Sequence, residues 1–449
     1  MFATGMWLVA VGSAALAAYH VALLALGARG RGRGGGALGA PSDDLVILTP
    51  IRDEPPDVVE SYLLGIEESS RRARSRAPRI LLVADYSDEV LYRAVSEVVE
   101  RHRERGLAVE LARRERPVGG RNGAINFGMA SCGCERAMLL DVDSVPMPEA
   151  LEGARACDLV CVSAWRAAHG AGRSAEAIGF MVDYGSWLLY DLRSRAGLFV
   201  YPLGSGTTLT RKVMDAIGPY RTDVIQDDMW LGTQLAKRGV MPQVVGEVRV
   251  STPSTVSSFM IQQARWAYGT TDVLLRFGGD LLRSPLPPLV RLEALFYLAQ
   301  PILVAAIGLG WLLVLLSPLF PFGLGSALPQ LAIFAVAMGA EGLCVGKFAK
   351  GRRLGRHAIF LSGRSSAISL LVSVWIVPYV LAALVGFRIP YRITPKGSAE
   401  IGGTPPQAVA LLALSLLALA LSAIRGALLP ALMAFGALAA SAYVLARLR

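Results

Sequence analysis

Two aspartates, Asp141 and Asp143, directly follow the apolar run Ala137–Leu140. The run is typical of a buried strand, and side chains two residues apart in an extended segment point to the same side. Paired carboxylates that face one ligand suit Mg²⁺ or Mn²⁺, which bind through a few carboxylates together with substrate phosphates. Asp is also common in ordinary loops at strand ends. Taken alone, the pair is compatible with either a metal site or a simple loop.

A second acidic pair, Asp227 and Asp228, precedes the apolar helical pattern of residues 229–235. A carboxylate at this position could accept the proton of a hydroxyl group as a general base. The alternative is a helix N-cap, where Asp is favoured because its side chain accepts hydrogen bonds from the first helical N–H groups.

Helical spacing brings three further residues onto one face, and these are Gln262, Arg265 and Trp266. A guanidinium binds a diphosphate through two parallel hydrogen bonds. An indole stacks on a sugar ring or lines a channel for an acceptor. We predict that this face binds a ligand, although an amphipathic helix lying on a membrane would show the same pattern.

Strands and helices alternate around these residues. From about residue 43 to 285, short apolar runs are separated by charged stretches of helical length. This alternation predicts βαβ units and a Rossmann-like, mostly parallel sheet. Ligands of such sheets bind at the carboxyl ends of the strands. We therefore expect an α/β catalytic domain over residues 43–285, ending in interfacial helices, with the acidic pairs at one edge of its sheet.

The two ends of the chain are apolar. Residues 6–28 can cross a bilayer, and the arginines that follow predict a retained helix whose second end is cytoplasmic. We predict a C-terminal membrane region over residues 289–449 with about four spanning helices. Residues 366–387, which contain Pro378, are predicted to be re-entrant or interfacial, and residues 388–403 to form a cytoplasmic loop. The predicted protein is a multi-pass protein of the cell membrane with a cytoplasmic catalytic domain.

The net charge of +10 lies largely beside the apolar spans. This placement favours a lipid bilayer or a phosphate-bearing substrate over nucleic acid, for which no basic, aromatic-rich stripe is present. The five cysteines lack the spacing of a zinc site. Cys157 and Cys161 fall in a strand-like run and are predicted to be core residues, and the catalytic domain is expected to contain no disulfide bridges.

Seven short segments resemble, in the same order, the motifs of the family 2 glycosyltransferases, which have a GT-A fold. The segments are residues 49–54, 83–85, 121–126, 141–143, 204–208, 227–232 and 262–266. The resemblance implies that Pro50, Asp53 and Glu54 hold the base and ribose of a nucleotide-sugar, with Asp53 at a position where Asn is usual. It also implies that Asp85 contacts the base, typically uracil.

The resemblance assigns the remaining groups as well. Arg121 and Asn126 match a segment near the diphosphate, and Asp141 and Asp143 match the family's metal-binding D-x-D pair. Asp228 matches the general base, which favours that role over an N-cap. The motif around it reads Gln226-Asp-Asp228 where the family has T-E-D, so its middle carboxylate is Asp227. Gln262, Arg265 and Trp266 match the family's Q-x-x-R-W segment.

Residues 391–397, Tyr-Arg-Ile-Thr-Pro-Lys-Gly, resemble the gating loop of bacterial cellulose-synthase-like enzymes. The resemblance implies that Thr394 and Lys396 reach the phosphates of the nucleotide; a positively charged loop between helices is the alternative. Residues 204–211 lack the Cys that those enzymes carry in the corresponding segment, which argues against glucan synthesis specifically.

The predicted protein is a membrane-embedded, inverting, metal-dependent glycosyltransferase. It would move a sugar from a nucleotide-diphosphate sugar, with UDP favoured, to a lipid or polysaccharide acceptor and form a β-linkage. Two alternatives are a non-catalytic sugar-nucleotide-binding subunit of a synthase and a polytopic transporter. A transporter would carry ionisable residues within its spans, and the few that occur there are Glu293 and Glu341, near span ends.

Overall fold

The computed structural model describes residues 1–30, 39–73, 77–168, 170–320, 327–390, 400 and 402–448. Within these residues one sheet organises the α/β domain. Its strands, numbered along the chain, are β1 Leu45–Arg52, β2 Arg79–Asp85, β3 Val109–Arg113, β4 Arg136–Leu139, β5 Ser144–Pro146, β6 Val160–Ala168, β7 Thr207–Thr210 and β8 Gln243–Ser251. Their order in the sheet is β3-β2-β1-β4-β7-β6-β8-β5.

The sheet is mixed but mostly parallel. β1 runs parallel to β2 and β4, β2 parallel to β3, and β6 parallel to β8. β7 is antiparallel to both β4 and β6, and β5 is antiparallel to β8. The predicted mostly parallel sheet is therefore confirmed. The short strand β7 shows no apolar pattern from which a strand could be predicted, because most of its four residues are polar and its neighbours hold it in the sheet.

The helices are numbered along the chain in the same way. They are α1 Phe2–Arg29, α2 Pro56–Arg72, α3 Glu89–Glu104, α4 Gly120–Ser131, α5 Pro148–Arg155, α6 Arg173–Ser186, α7 Arg193–Arg195, α8 Arg211–Ile217, α9 Asp227–Lys237, α10 Val256–Leu282, α11 Pro288–Leu316, α12 Ala327–Gly351, α13 His357–Trp375, α14 Val377–Leu384, α15 Pro406–Ile424 and α16 Leu428–Arg447. A π-helical segment, Trp187–Leu192, joins α6 to α7, and a 3₁₀ turn, Ser317–Leu319, follows α11.

Two apolar cores cover the two faces of the sheet. The α2, α3 and α5 helices pack on one face, and α4, α9 and α10 pack with the beginning of α11 on the other. Both cores form because strands of a parallel sheet are apolar on both sides and must be covered on both sides. The second core extends into α11, so the helix that leads into the membrane region is part of the packing of the catalytic domain.

Six helical segments of the described chain are long and apolar enough to cross a membrane, by length and composition. They are residues 2–29, 288–319, 327–351, 357–384, 406–424 and 428–447. These helices, together with the curled sheet, confirm the predicted combination of an α/β domain and an α-helical membrane region. The numbers of spanning and re-entrant helices remain predictions.

The first helix is fastened to its two neighbours by polar contacts. The Tyr19 hydroxyl donates to Glu293 on α11 at 2.7 Å, and the His20 Nδ1 lies 2.7 Å from Glu341 on α12. Close packing adds to these contacts, because a Cβ placed on Gly5 would lie 2.7 Å from the Gly310 carbonyl oxygen. Glu293 and Glu341, the two acidic side chains near the span ends, are therefore both bonded within the helix bundle.

The helix pair α13–α14 contacts the catalytic domain at both of its ends. At the beginning, the Arg364 guanidinium donates to Glu176 on α6 at 2.7 Å. After the end, the Phe387 carbonyl oxygen accepts a hydrogen bond of 3.1 Å from the Tyr268 hydroxyl on α10. The pair is interrupted at Ile376, just before Pro378.

The cysteines differ from the expectation in one respect. Cys132 and Cys134 form a disulfide, with their Cα atoms 5.2 Å apart. The prediction of a domain without disulfides is therefore wrong, because two cysteines separated by a single residue do not show the spacing from which a disulfide framework is read. Cys157 and Cys161 are buried free thiols, as expected for core residues.

Candidate active site

Residues 204–206, which we call the glycine loop, lead into β7 and connect the two acidic pairs. The Gly204 N–H donates to the Asp228 carboxylate at 3.1 Å, and the Ser205 hydroxyl accepts from the Asp141 N–H at 3.1 Å. The Gly206 N–H donates to the Leu139 carbonyl at 2.7 Å. Gly206 has φ 99°, a conformation that favours glycine. The loop therefore lies between the end of β4 and the beginning of α9.

Arg121, at the beginning of α4, bridges the same two acidic pairs. Its Nη2 lies 3.1 Å from an Asp141 oxygen and also donates to the Gly204 carbonyl, while its Nη1 donates to Asp227. A guanidinium can do this because its five N–H donors form a rigid planar fork. Two carboxylates from elements far apart in the sequence thus share one positive charge.

Asp228 is 7% exposed and lies in the first turn of α9. It accepts hydrogen bonds from its neighbour's backbone, Met229 N–H at 2.8 Å, and from Gly204. The helix N-cap is Gln226, so the N-cap alternative for Asp228 does not apply. Burial, and next the negative charge of Asp227, raise the pKa of Asp228 to about 7. A carboxyl with this pKa exchanges a proton near neutral pH, which suits a general base.

Asp141 and Asp143 lie in a turn, where the Ser144 N–H donates to the Asp141 carbonyl at 3.0 Å. The prediction that this segment is extended is therefore wrong, because β4 already ends at Leu139. The Asp141 side chain is 41% exposed, and Asp143 accepts a 3.3 Å hydrogen bond from the Ser144 hydroxyl.

A divalent cation would find two carboxylates at this turn. Within the described part of the chain, no group of three or more His, Cys, Asp and Glu side chains is arranged to hold a metal ion. The hard oxygen donors of Asp141 and Asp143 fit Mg²⁺ or Mn²⁺, which commonly take their remaining ligands from water and substrate phosphates. Arg121 would then share Asp141 with the ion.

The predicted nucleotide segment lies at the carboxyl ends of β1 and β2. Asp53 has φ 51° and accepts hydrogen bonds from the Ser87 N–H at 2.8 Å and the Ser87 hydroxyl at 3.0 Å. Asp tolerates this left-handed conformation better than most residues. Asp85 is buried and paired with Arg114, whose Nε lies 2.7 Å from one carboxylate oxygen. A base that contacts Asp85 would approach a carboxylate already neutralised by Arg114.

Pro50 and Glu54 are the other two residues predicted to hold the nucleotide. Pro50 lies within β1, opposite Val83 of β2. The Glu54 carbonyl accepts a 2.9 Å hydrogen bond from the Tyr86 hydroxyl, which keeps this segment next to the end of β2.

The side-chain amide of Asn126 binds the backbone of another loop through both its nitrogen and its oxygen. Its Nδ2 donates to the Tyr220 carbonyl at 2.8 Å, and its Oδ1 accepts from the Tyr220 N–H at 2.6 Å. Asn122, one turn earlier, donates to the Arg221 carbonyl at 2.6 Å. The two amides hold the segment that precedes α9, so in this structure Asn126 supports the site through the backbone.

The α10 helix brings the Q-x-x-R-W segment to the same region. Gln262 is buried, and Arg265 and Trp266 are partly exposed. Gly269 packs on Gln226, since a Cβ on Gly269 would lie 2.8 Å from the Gln226 Cβ. The α10 helix therefore rests on the beginning of α9. Thr394 and Lys396 lie outside the residues that the structure describes.

Three residues of this site were not among the predicted ones: Arg114, Ser205 and Trp165. Arg114 stands in the charged run 113–116, which resembles a solvated surface, and Trp165 stands in a strand, where a core role is the default. Ser205 lies in a segment that matched the family motifs, and that match was the one available signal. The Trp165 indole N–H donates to the Ser205 carbonyl at 2.7 Å.

Comparisons with known proteins bear on this geometry. Residues 138–340 match the sequence model of the family described as glycosyl transferase family group 2. Over this range the chain is similar to the glycosyltransferases of family 2. The matched range includes the D-x-D turn, the glycine loop, the Asp227–Asp228 pair and α10. The match supports the resemblance to family 2 over these residues, whereas the cellulose-synthase-like subtype remains a prediction.

Two known proteins are similar to this chain along most of their length. A protein described as a probable glycosyltransferase of Sulfolobus acidocaldarius is 27% identical over 371 residues, which cover 79% of this chain and 78% of that protein. The mannosyltransferase PcManGT from Pyrobaculum calidifontis, solved in complex with GDP-Man and Mn²⁺, matches with a TM-score of 0.50 and 18% identity. That match covers 85% of this chain and 98% of the mannosyltransferase, and it confirms the GT-A fold.

Proposed function

We propose that this family 2 glycosyltransferase transfers a sugar from a nucleotide-diphosphate sugar to a lipid or polysaccharide acceptor, with inversion at the anomeric carbon. One observation carries the proposal. Arg121 joins Asp141, at the proposed diphosphate end, to Asp227, and the glycine loop joins the same Asp141 to Asp228. One connected set of hydrogen bonds thus holds the side chain proposed to act at the leaving diphosphate and the side chain proposed to deprotonate the attacking hydroxyl.

At the donor end, Asp141 and Asp143 would hold Mg²⁺ or Mn²⁺ together with the diphosphate oxygens. When bound there, such an ion would supply positive charge to the leaving diphosphate. Arg121 supports the same end through its positive charge and its hydrogen bonds to Asp141. The Mn²⁺ bound by PcManGT, a protein of the same fold, supports this assignment.

At the acceptor end, Asp228 would take the proton of the attacking hydroxyl as its oxygen bonds to the anomeric carbon. The bond to the diphosphate breaks in the same step. A single displacement of this kind turns an α-linked donor into a β-linked product. The buried position of Asp228 keeps bulk water away from the carboxylate, so a hydroxyl of the acceptor is favoured as its proton donor.

The identities of the donor nucleotide-sugar and of the acceptor can be tested directly. The resemblance at Asp85 favours UDP, whereas PcManGT was solved with GDP-Man. Purified protein is incubated with radiolabelled UDP- and GDP-sugars and a divalent cation, and the products are separated by size and by solvent extraction. Polymer, glycolipid and free sugar are three distinct outcomes. Label that stays in the donor under all conditions would contradict the proposal.

We also propose that α13–α14 re-enters the membrane on the side of the catalytic domain, leaving five spanning helices. The contacts of Arg364 with Glu176 and of Tyr268 with Phe387 support this, because they fasten both ends of the pair to that domain. Labelling of single cysteines introduced at residues 356 and 388 in intact cells tests it. We expect both sites to react only after the membrane is permeabilised.

Replacement of Asp227 should shift the pH dependence of sugar transfer. Transfer requires deprotonated Asp228, so kcat/KM should rise as the pH passes upward through about 7. The charge of Asp227 raises the pKa of Asp228, and Asp227→Asn should therefore move this acidic limb to lower pH. Rates measured from about pH 5 to about pH 9 show the limb directly. A limb that stays in place in the variant would exclude Asp228 as the titrating group.

A further inference from the structure

Trp165 lies on β6 and contacts two parts of the proposed site at once. Its indole N–H donates to the Ser205 carbonyl at 2.7 Å. Its ring centroid lies 5.8 Å from that of Trp266, with 43° between the ring planes. The residue is partly buried and also packs against two hydrophobic clusters of the domain.

The glycine loop is held by hydrogen bonds from β4, α4, α9 and β6. Two of its three residues are glycines, which leave the backbone more free than any other residue. From β6 the loop is held at two points, by the Ser163 N–H on the Gly206 carbonyl at 2.8 Å and by Trp165 on Ser205. The first contact belongs to the ladder of the sheet, and the second is made by a side chain that substitution can remove alone.

Three bonds that place reacting groups begin in this loop. Gly204 donates its N–H to Asp228 and accepts Arg121 at its carbonyl, and the Ser205 hydroxyl holds the Asp141 backbone. A shift of the loop therefore moves the proposed base and the proposed metal ligand together. Displacements of about 1 Å cost up to about 100-fold in rate.

We propose that Trp165 is a positioning residue for sugar transfer: it fixes the glycine loop beneath Asp228 and Asp141, and it supports Trp266 on the acceptor side. The inference rests on the proposed function. It differs from it in scope, because it assigns Trp165 an indirect role through its contacts with Ser205 and Trp266.

The test compares Trp165→Phe, Ser205→Ala and the double variant in the full-length protein. Trp165→Phe keeps an aromatic ring against Trp266 but removes the N–H donor together with part of the indole surface, and Ser163 still holds the loop. We expect kcat to fall by about tenfold in each single variant, with the donor KM within about twofold of wild type. Because both act on one loop, the double variant should lose little more than the poorer single variant.

Trp7→Phe is the matched control, because Trp7 is 46% exposed on α1, away from the site, and it should keep wild-type kcat. If Trp165→Phe fails to fold, Trp165→His, which keeps a ring N–H, replaces it and should retain more kcat than Trp165→Leu. Wild-type kcat in Trp165→Phe, or losses that multiply in the double variant, would overturn the inference alone. Absence of transfer by the wild-type protein would overturn the proposed function with it.

Discussion

Asp228→Asn should lower kcat by about 10²- to 10⁴-fold, the contribution typical of a positioned general base. The amide has the shape of the carboxylate, and its oxygen can still accept from the Gly204 N–H, so the loop and the helix should keep their places. An amide cannot take the proton of the acceptor hydroxyl. We therefore expect the loss in kcat alone, with the KM for the nucleotide-sugar close to the wild-type value. Initial rates at saturating donor measure the effect.

Asp215→Asn is the control for that variant. Asp215 lies on α8 with its side chain 68% exposed, and its replacement should leave the rate unchanged. An Asp228→Asn protein with a rate near that of the control would show that another group accepts the proton. Asp227, held by Arg121, would then be the next candidate.

Asp141→Asn should lower transfer by about 10²- to 10³-fold, the loss seen when one electrostatic stabiliser of a transition state is removed. The substitution removes one of the two carboxylates at the D-x-D turn and also a partner of Arg121. We expect the variant to need more Mn²⁺ for half-maximal rate, because one fewer charged ligand is available to the ion. Rates measured across a series of Mn²⁺ concentrations separate this effect from a simple loss of kcat.

Asp158→Asn controls for the removal of an acidic charge, since Asp158 is an exposed residue just before β6. It should show the wild-type dependence on Mn²⁺. If Asp141→Asn showed that same dependence and rate, the D-x-D turn would be an ordinary loop at the end of a strand. The interpretation of this acidic pair as a metal site would then be excluded.

The sheet could be predicted from the sequence because its signals are local. The apolar runs at β1, β2 and β4 lie between charged helical stretches, and each run has the length of a strand. β7 carries no such signal, since Thr207–Thr210 is buried only because β4 and β6 lie on either side of it. The turn at Asp141 was missed for a related reason: the strand ends one residue earlier than its apolar pattern.

The connections within the site could not be predicted, because each joins residues far apart in the chain. Arg121 and Asp227 are 106 residues apart, and Asp141 and Ser205 are 64 apart. Periodicity and propensity describe neighbours within a few turns and give no distance between such pairs. The family motifs compensated in part, since they brought Asp141, Asp228 and Trp266 into one hypothesis. They gave no indication of Arg114 or Trp165, which lie outside the motifs.

Sugar transfer by Asp143→Ala in purified membranes tests the central proposal most directly. The wild-type and variant proteins are expressed to equal levels and given the same labelled nucleotide-sugars with Mn²⁺ or Mg²⁺. We predict that the wild-type protein moves label into lipid or polymer, and that the variant loses this activity at least about 100-fold. Equal transfer by the two proteins would contradict a catalytic role for the D-x-D turn.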